Sequence, residues 1–291
     1  MLTITEAEVR RLLPMADAIE ALRGAFAAWH RGEAQNQPRR RLLLPTGACL
    51  HQLAAQYRSY FGTKVYSTHP KHGAWFHVLL YDAETARPLA LFEADWLGQI
   101  RTGAATGLAT DLLAPAEAKT IGLIGSGFQA ASQLAAVRAV RPGGEVKVWS
   151  RNAERAAKFA QEHNCRAVAT AEEAIRGAEI VITATSAREP VLDAAWVMPG
   201  AHVNAVGSNQ AGKRELPADL IAQASLIAVD SVEQAKIESG DLLLADFDWF
   251  DPRLVELKDI AARPPGISIF KSNGLGLEDV AVAALVYERS R

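Results

Sequence analysis

The sequence predicts an α/β fold with two domains, one over residues 115–266 and a discontinuous one over residues 1–114 and 267–291. Between residues 115 and 266, near-continuous apolar strands alternate with helices, which is typical of a parallel sheet covered on both faces. Before Pro115 the chain is rich in strands with little strand–helix alternation, as in an α+β domain. From about Ile267 the alternation stops, and we assign this tail, which ends in a helix rich in Ala and Val, to the first domain.

The composition is that of an ordinary globular protein and excludes several classes of function. The 291 residues are 49% hydrophobic and 22% charged, with a formal net charge of −2, so no general attraction to nucleic acid is expected. No uncharged apolar stretch reaches the roughly 18 residues of a membrane span, and the N-terminus lacks a signal-peptide pattern. Cys49 and Cys165 are far apart, which favours a reducing cytoplasm over a disulfide framework. The histidines show no metal-ligand spacing, so no metal is expected.

The first domain begins with helices and continues with strands. Thr5 and Glu8 form a capping box that opens a short helix, and apolar residues recur at helical spacing from Pro14 to Trp29. Strands are then predicted at residues 40–45, 77–82 and 88–92, the last two as a hairpin. The second domain carries a series of apolar strands at residues 119–124, 145–150, 179–184, 202–206 and 226–230.

A glycine-rich turn follows the first apolar strand and predicts a Rossmann dinucleotide-binding domain. Gly125 permits the tight turn, Gly127 lets the backbone approach a pyrophosphate, and Ala130 is small enough for the helix to lie close to the strand. The helix N-terminus then offers N–H groups and a positive dipole end to the phosphates. The predicted cofactor-binding residues of this turn are Gly125, Ser126, Gly127, Phe128, Gln129 and Ala130.

The end of the second apolar strand predicts which nicotinamide cofactor binds. NAD-selective sites carry Asp or Glu there, whereas this chain has Ser150, Arg151 and Asn152. A guanidinium pairs well with a 2′-phosphate, so we favour NADPH over NADH. The alternative is that Arg151 is a solvated surface residue and that the enzyme uses either NADPH or NADH. Thr185 and Ser186 end a parallel strand and are predicted to contact the ribose, although such residues are often helix caps.

Several segments together, in order from about residue 38 to the C-terminus, resemble the ornithine cyclodeaminase/μ-crystallin family. They include Arg-Thr-Gly-Ala-Ala at 101–105 and Ile-Phe-Lys-Ser at 269–272. The remaining segments lie at residues 62–65, 88–91, 125–130, 204–209, 215–216, 229–230, 238–241, 274 and 278–279. The resemblance implies a homodimer in which the discontinuous domain binds substrate and forms the dimer contact. It also implies small α-amino or α-imino acid substrates.

The substrate carboxylate is expected to meet a pair of cations, because burying its charge alone costs several kcal/mol. By resemblance, Lys64 is one partner and also relays a proton at the reacting carbon. A lysine within an apolar strand is rarely buried without a charged partner, which supports this role. The alternative is a lysine at the strand edge that faces solvent. The second partner is one of Arg39, Arg40 and Arg41. By resemblance, its spacing to residues 53–55 favours Arg40, and Arg41 is the second choice. Strand alternation places Arg39 and Arg41 on the face opposite Arg40, without indicating which face carries the pocket.

The resemblance assigns further residues to the cofactor. Arg101 is expected to begin a Gly/Ala-rich helix, with Thr102 as a natural cap, and to meet the cofactor phosphates and the substrate side. Lys271 and Ser272 are expected near the nicotinamide and a hinge between domains. Val206 and Ser208 complete the predicted cofactor-binding set. We expect Asp279 to cap or pair within the last helix, and Asp230 is either a second acidic site residue or a helix cap beside Ser231.

Position 209 separates activities within the family. Cyclodeaminases carry an Asp there, whereas this chain has Asn209, and an amide cannot take up a proton or hold an ammonium by charge. We therefore predict an NAD(P)H-dependent reductase of small cyclic ketimine carboxylates, Δ1-pyrroline-2-carboxylate or Δ1-piperideine-2-carboxylate, with Lys64, Arg40 and Asn209 as catalytic residues. The alternatives are ornithine cyclodeaminase, an amino-acid dehydrogenase resembling alanine dehydrogenase, and a non-enzymatic NADPH-binding protein.

Overall fold

The computed structural model describes residues 1–263 and 265–291. The chain forms two compact units, the first made of Met1–Ala104 and Gly274–Arg291 and the second of Ala105–Asn273. The sequence analysis places the boundaries after residues 114 and 266. The first boundary lies earlier because one helix, Asp95–Leu113, runs on from the first unit into the second. The second lies later because Ser268–Lys271 is a strand of the parallel sheet.

The first unit combines six strands with helices from both ends of the chain. The strands are β1 (Leu2–Ile4), β2 (Ala34–Leu43), β3 (Cys49–Tyr57), β4 (Tyr60–His69), β5 (Gly73–Asp82) and β6 (Pro88–Glu93). The helices are α1 (Glu6–Leu12), α2 (Met15–His30), the start of α3 (Asp95–Leu113) and α10 (Gly276–Arg289). The predicted capping box opens α1, with the Thr5 side chain accepting from the Glu8 N–H and the Glu8 carboxylate accepting from the Thr5 N–H.

The six strands form one sheet in the order β1-β6-β5-β4-β3-β2. All neighbours are antiparallel except β1 and β6, which are parallel. We call the face that carries α10 the inner face; on β4 it presents Gly62, Lys64 and Tyr66, all buried. Because side chains alternate along a strand, Phe61 and Val65 lie on the opposite, outer face.

A β-bulge in β2 decides which of the three consecutive arginines lies on the inner face. Gln37 pairs with Ala54 and Arg40 with Gln52, so Pro38 and Arg39 together oppose the single residue Leu53. Proline cannot donate to the ladder, which is why it occurs at bulges and on edge strands such as β2. The extra residue shifts the alternation by one position. Arg39 is therefore buried and Arg40 exposed, and Arg41, nearer the end of β2, is exposed as well.

Helix α3 begins well before Arg101, contrary to the sequence expectation. It starts at Asp95, and the Glu6 carboxylate accepts from the backbone N–H groups of Asp95 and Trp96. Thr102 is consequently not a cap, and its hydroxyl donates to the Gly98 carbonyl one turn earlier. A carboxylate that caps a helix from 89 residues away leaves no local sequence signal.

The second unit alternates strands and helices as predicted. Its strands are β7 (Thr120–Ile124), β8 (Glu145–Trp149), β9 (Arg166–Ala167), β10 (Ile180–Thr183), β11 (His202–Ala205), β12 (Leu226–Val229), β13 (Leu254–Glu256) and β14 (Ser268–Lys271). Its helices are the end of α3, α4 (Phe128–Val140), α5 (Ala153–Glu162), α6 (Ala171–Ile175), α7 (Ala218–Gln223), α8 (Val232–Glu238) and α9 (Gly240–Leu243). None of the helices described has the length and apolar character to cross a membrane.

All eight strands of the second unit are parallel, in the order β13-β12-β14-β11-β10-β7-β8-β9. The run β9-β8-β7-β10-β11 is the Rossmann order, in which the chain goes out from β7 to one side and returns to the other. The order reverses between β7 and β10. Ligands of open α/β sheets bind at this reversal, beyond the carboxyl ends of the strands. Apolar side chains on both faces of the sheet form the core of the unit.

One buried arginine completes the end of helix α3. The guanidinium of Arg141 donates to the carbonyl oxygens of Thr110, Asp111, Ala114 and Pro115, and it pairs with the Asp111 carboxylate at 3.1 Å. The last carbonyl groups of a helix have no partner within the helix, so a side chain that satisfies several of them stabilises its end.

We expect R141M to lower the free energy of unfolding of the second unit by about 2–4 kcal/mol, because several buried carbonyl oxygens lose their donor. Chemical denaturation followed by circular dichroism measures the change. R166M removes an arginine that is more than half exposed and whose ion pairs with Glu145 and Glu173 are 3.6 and 3.8 Å long, so it should change stability little. Equal effects of the two substitutions would contradict this role of Arg141.

Candidate functional site

The glycine-rich turn after β7 has the geometry that a pyrophosphate requires. Gly125 has φ +119°, a conformation that favours glycine, and a Cβ there would lie 2.4 Å from the Ala184 carbonyl oxygen. Gly127 is the N-cap of α4; among the described residues, no side chain caps this helix and none lies within 4 Å of where a Gly127 Cβ would be. The protein itself therefore gives no packing reason for a glycine at position 127. Open space before uncapped N–H groups fits an anionic ligand.

The other residues predicted in this turn lie as a dinucleotide site needs. Ala130 is fully buried against the sheet, Gln129 is half-buried, and the Phe128 ring is exposed. The Ser126 hydroxyl donates to the Ser150 hydroxyl at 3.0 Å, which joins the turn to the end of β8.

Beside the turn lies a cleft of about 1110 Å³, formed within the second unit. Its lining includes Gly125, Ser126, Gly127, Ser150, Arg151, Asn152, Thr185 and Ser186, all of them predicted cofactor residues. The cleft is therefore the candidate cofactor site. The Asn152 side chain accepts from the Arg155 N–H and caps α5, so this amide has a structural partner. Arg155, which the sequence analysis did not select, also lines the cleft.

A buried carboxylate shapes the strand ends next to this cleft. Glu215 accepts from the Thr185 N–H at 2.7 Å, the Gly207 N–H at 2.7 Å and the Thr183 hydroxyl at 2.9 Å. Burial raises the pKa of Glu215, and the Lys271 charge partly opposes this shift. Glu215 thus connects the loops that follow β10 and β11.

Lys271, predicted near the nicotinamide, is fully buried in a polar network. Its ammonium pairs with the Asp241 carboxylate at 3.0 Å and donates to the Ser208 carbonyl. Asp241 also accepts from the N–H groups of Glu215 and Leu216. The structure therefore brings Lys271 and Ser208 into contact, and this contact stabilises the loop after β11.

The same loop contains Val206 and Asn209, both half-buried. Asp230 is fully buried at the end of β12, where it accepts from the backbone N–H groups of Ser231 and Asn273. These contacts fix the turn after β14. The N-cap of α8 is Ser231, whose side chain accepts from the Gln234 N–H, so Asp230 is not the helix cap that the sequence analysis offered as an alternative.

In the first unit, two predicted site residues, Lys64 and Arg101, meet other charged residues on the inner face of the sheet. We call Arg39, Lys64, Arg101, Glu278 and Asp279 the buried ion cluster; each is at most 8% exposed. Asp279 Oδ1 lies 2.9 Å from Lys64 Nζ and 3.1 Å from Arg101 Nε. Arg101 Nη1 also pairs with Glu278 at 2.8 Å. Asp279 therefore pairs across the unit with β4 and α3, rather than within its own helix.

Burial and neighbouring charges set the ionisation of the two bases. Burial lowers the pKa of Lys64 to about 8, the Asp279 carboxylate opposes this shift, and the Arg101 charge adds to it. For Arg101, burial opposes the charged form, but the carboxylates of Asp279 and Glu278 outweigh it and raise the pKa. Near neutral pH, Lys64 is thus mostly charged, and a small rise in pH makes it release its proton.

The structure does not bring Arg40 or Arg41 into the buried ion cluster. The bulge turns Arg40 to the face opposite Arg39, and Arg41, which pairs with His51 further along β2, is exposed. Arg39 lies in the cluster instead and donates to the Gly274 carbonyl at 3.0 Å. A Cβ at Gly274 would lie 2.4 Å from the Arg101 guanidinium, so both arginines approach this residue closely. Pro38 within a strand is the sequence signal that could have revealed the shift in alternation.

Three rings border the cluster on the inner face. His51 stacks on Tyr66 with centroids 4.2 Å apart, and Tyr66 stacks on Phe76 at 4.9 Å. Lys64 Nζ lies 5.4 Å from the centroid of Phe76, within the range of a cation–π contact. Burial, then the charges of Arg41 and Arg39, lower the pKa of His51 to about 4. Among residues 1–263 and 265–291, no His, Cys, Asp and Glu side chains group as metal ligands would.

Comparison with known proteins identifies relatives over the whole chain. A family model described as "Ornithine cyclodeaminase/mu-crystallin family" matches residues 1–291. The mouse protein named ketimine reductase mu-crystallin is 37% identical over 81% of this chain and 74% of its own length.

Two solved structures superpose closely on this chain. The Δ(1)-pyrroline-2-carboxylate reductase of Thermococcus litoralis, in complex with NADH and L-proline, has a TM-score of 0.94 and 32% identity, covering 100% of this chain and 97% of that one. An archaeal alanine dehydrogenase dimer with bound NAD has a TM-score of 0.93 and 34% identity, covering 100% and 96%.

Proposed function

The chain belongs to the ornithine cyclodeaminase/mu-crystallin family, and on that premise we propose that it reduces small cyclic ketimine carboxylates with NAD(P)H. It is an oxidoreductase that acts on C–N bonds and binds a nicotinamide cofactor. Two relatives, by their names, reduce Δ1-pyrroline-2-carboxylate or a ketimine. Δ1-Pyrroline-2-carboxylate and Δ1-piperideine-2-carboxylate are the proposed substrates, and the products are the cyclic L-amino acids.

The observation that carries this proposal is that three cationic side chains, Arg39, Lys64 and Arg101, meet in the buried ion cluster. A substrate carboxylate that leaves water is costly to bury unless cations receive it. Guanidinium and ammonium groups bind a carboxylate through charge-assisted hydrogen bonds. We therefore propose Arg39, in the place that the sequence analysis gave to Arg40, as a carboxylate ligand together with Lys64.

Lys64 also suits the proton transfer. A bound reduced nicotinamide supplies hydride to the imine carbon, and the imine nitrogen must carry a proton to be a good acceptor. An ammonium whose pKa is about 8 can keep that nitrogen protonated and still release its own proton near neutral pH. The stacked rings beside Lys64 exclude water from the ammonium and strengthen its electrostatic interactions.

Asn209 weighs against the cyclodeaminase alternative, because an amide cannot hold the substrate ammonium by charge. An assay separates the remaining alternatives. We expect one NAD(P)H to be oxidised for each cyclic ketimine reduced. Ornithine should yield no ammonia, and pyruvate with ammonia should react more slowly than the cyclic imines. Ammonia release from ornithine with catalytic cofactor would favour the cyclodeaminase, and absence of turnover would favour a binding protein.

The cofactor preference is proposed to be NADPH, since Arg151 and Arg155 line the cleft at the strand end where a carboxylate is missing. We expect R151L/R155L to weaken NADPH binding roughly 10- to 100-fold and NADH binding less than threefold, because only the 2′-phosphate loses charge-assisted hydrogen bonds. Fluorescence titration measures both affinities. K158L removes a charge from the same helix outside the cleft and should change neither. An equal loss for both cofactors would contradict the assignment.

We further propose a homodimer formed through the outer face of the six-stranded sheet. Leu79 and Tyr81 of β5 lie there with Phe61 and Val65 of β4, and the rings of Phe61 and Tyr81 stack at 5.0 Å. An apolar sheet face of this kind needs a cover. We expect L79K to sediment as a monomer and the wild type as a dimer. L244K, at an exposed leucine of the second unit, should remain dimeric; a dimeric L79K would count against this interface.

A further inference from the structure

Asp279 has an unusual position among the charges of the first unit. It is fully buried in the first turn of α10, and its Oδ1 is shared by Lys64 Nζ at 2.9 Å and Arg101 Nε at 3.1 Å. Its second oxygen, Oδ2, is buried and has no hydrogen-bond partner in the part of the chain that the structure describes. One carboxylate oxygen thus separates two cations that would otherwise repel each other.

Few other charged groups near Lys64 could separate its ammonium from the Arg101 guanidinium. The residues opposite Lys64 on β3 and β5 are the apolar Leu53 and Val78. Besides Asp279, the charges that act on Lys64 are Arg101 on α3 and Arg39 on β2. Glu278 on α10 pairs with Arg101, and the rings of His51 on β3 and Tyr66 on β4 lie beside the cluster. Among the contacts of Lys64, Asp279 supplies the negative charge.

Steric constraints keep the ammonium against this carboxylate. A Cβ at Gly98 would lie 2.9 Å from Lys64 Nζ, so the wall of α3 closes one side. The rings of Tyr66 and Phe76 lie 5.8 and 5.4 Å from the same atom. Lys64 therefore has little freedom to exchange Asp279 for another partner.

We propose that Asp279 is a positioning residue that holds the Lys64 ammonium beside the Arg101 guanidinium and fixes the charge state in which Lys64 meets the substrate. The role of Lys64 toward substrate rests on the proposed function, but the effect of Asp279 on Lys64 does not. The Asp279 carboxylate raises the pKa of Lys64 against the lowering by burial and Arg101. Removing the negative charge should therefore make Lys64 release its proton at a lower pH.

The test is an NMR titration of the protein labelled with ¹³C-lysine, with the Lys64 Cε resonance assigned by its loss in K64R. The wild-type midpoint is expected near pH 8. D279N should lower it by about one pH unit or more, as expected when an opposite charge at this distance is lost. E278Q, an acid-to-amide change at the neighbouring buried position, should lower it less because Glu278 pairs with Arg101. D279E keeps the charge and should restore a midpoint above that of D279N.

A purely structural Asp279 would give a different result. D279N would then lose stability while the Lys64 midpoint stayed within a few tenths of the wild type, which would overturn the proposal. Should D279N fail to fold, D279S is titrated in its place. The alkaline limb of kcat/KM for ketimine reduction should move with the midpoint. A protein without turnover would refute the proposed function, and the titration would still decide the role of Asp279.

Discussion

K64M is expected to lower kcat/KM for cyclic ketimine reduction by about 10³-fold or more while NADPH affinity stays within twofold of the wild type. The variant loses the proposed carboxylate ligand and the proposed proton donor to the imine, and general acid–base catalysis alone contributes about 10²–10⁴-fold. Its cofactor cleft is unchanged, because that cleft is lined by residues of the second unit. Steady-state oxidation of NADPH and a fluorescence titration measure the two quantities.

K64R separates the two roles of this lysine. It keeps the positive charge for the substrate carboxylate but cannot release a proton near neutral pH, so KM should change less than kcat. K71M, at an exposed lysine in the turn between β4 and β5, is the control and should leave both constants unchanged. Circular dichroism must show that K64M is folded, because it leaves Asp279 short of one partner. Full activity in a folded K64M would refute the proposed mechanism.

G127D is expected to weaken binding of both NADPH and NADH by at least 100-fold without a loss of fold stability. The new side chain enters open space, since a Cβ at this position meets no atom of the described residues within 4 Å. Its carboxylate would lie before the N-terminus of α4 and repel the cofactor phosphates from the N–H groups there. A loss of this size corresponds to about 3 kcal/mol of binding free energy.

The matched control for this prediction is G212D. A Cβ added at Gly212 would likewise meet no described atom within 4 Å, and this glycine lies in the same unit, outside the cleft lining. The G212D variant should bind both cofactors normally. Thermal unfolding of the two variants should give similar midpoints. If G127D bound cofactor as well as G212D does, the turn after β7 would not be the phosphate site.

The sequence was sufficient for features that depend on neighbours along the chain. The alternation of apolar strands and helices predicted the parallel sheet, and the spacing of Gly125, Gly127 and Ala130 predicted the turn after β7. The fold class and the family are both confirmed. Lys64 was chosen from the family resemblance, and its position in an apolar strand supported that choice because a buried lysine requires a partner.

What escaped prediction depends on contacts between distant segments. Glu6 caps α3 from 89 residues away, and Asp279 meets Lys64 across 215 residues. Neither residue has a local pattern that names its partner. Arg39 was passed over for a different reason, because Arg40 was chosen from its spacing to residues 53–55 and the bulge at Pro38 was not predicted. Single-residue irregularities of this kind reverse which side chains face inward.

The bulge in β2 has a consequence for how the chain tolerates change. Because Arg39, Arg40 and Arg41 are consecutive, insertion or loss of one residue near Pro38 would still deliver a guanidinium to the interior of the first unit. An edge strand is the part of a sheet most prone to such register slips. The arginine triplet would therefore preserve the proposed carboxylate-binding role of Arg39 after a one-residue shift in strand alignment, which a single arginine would not.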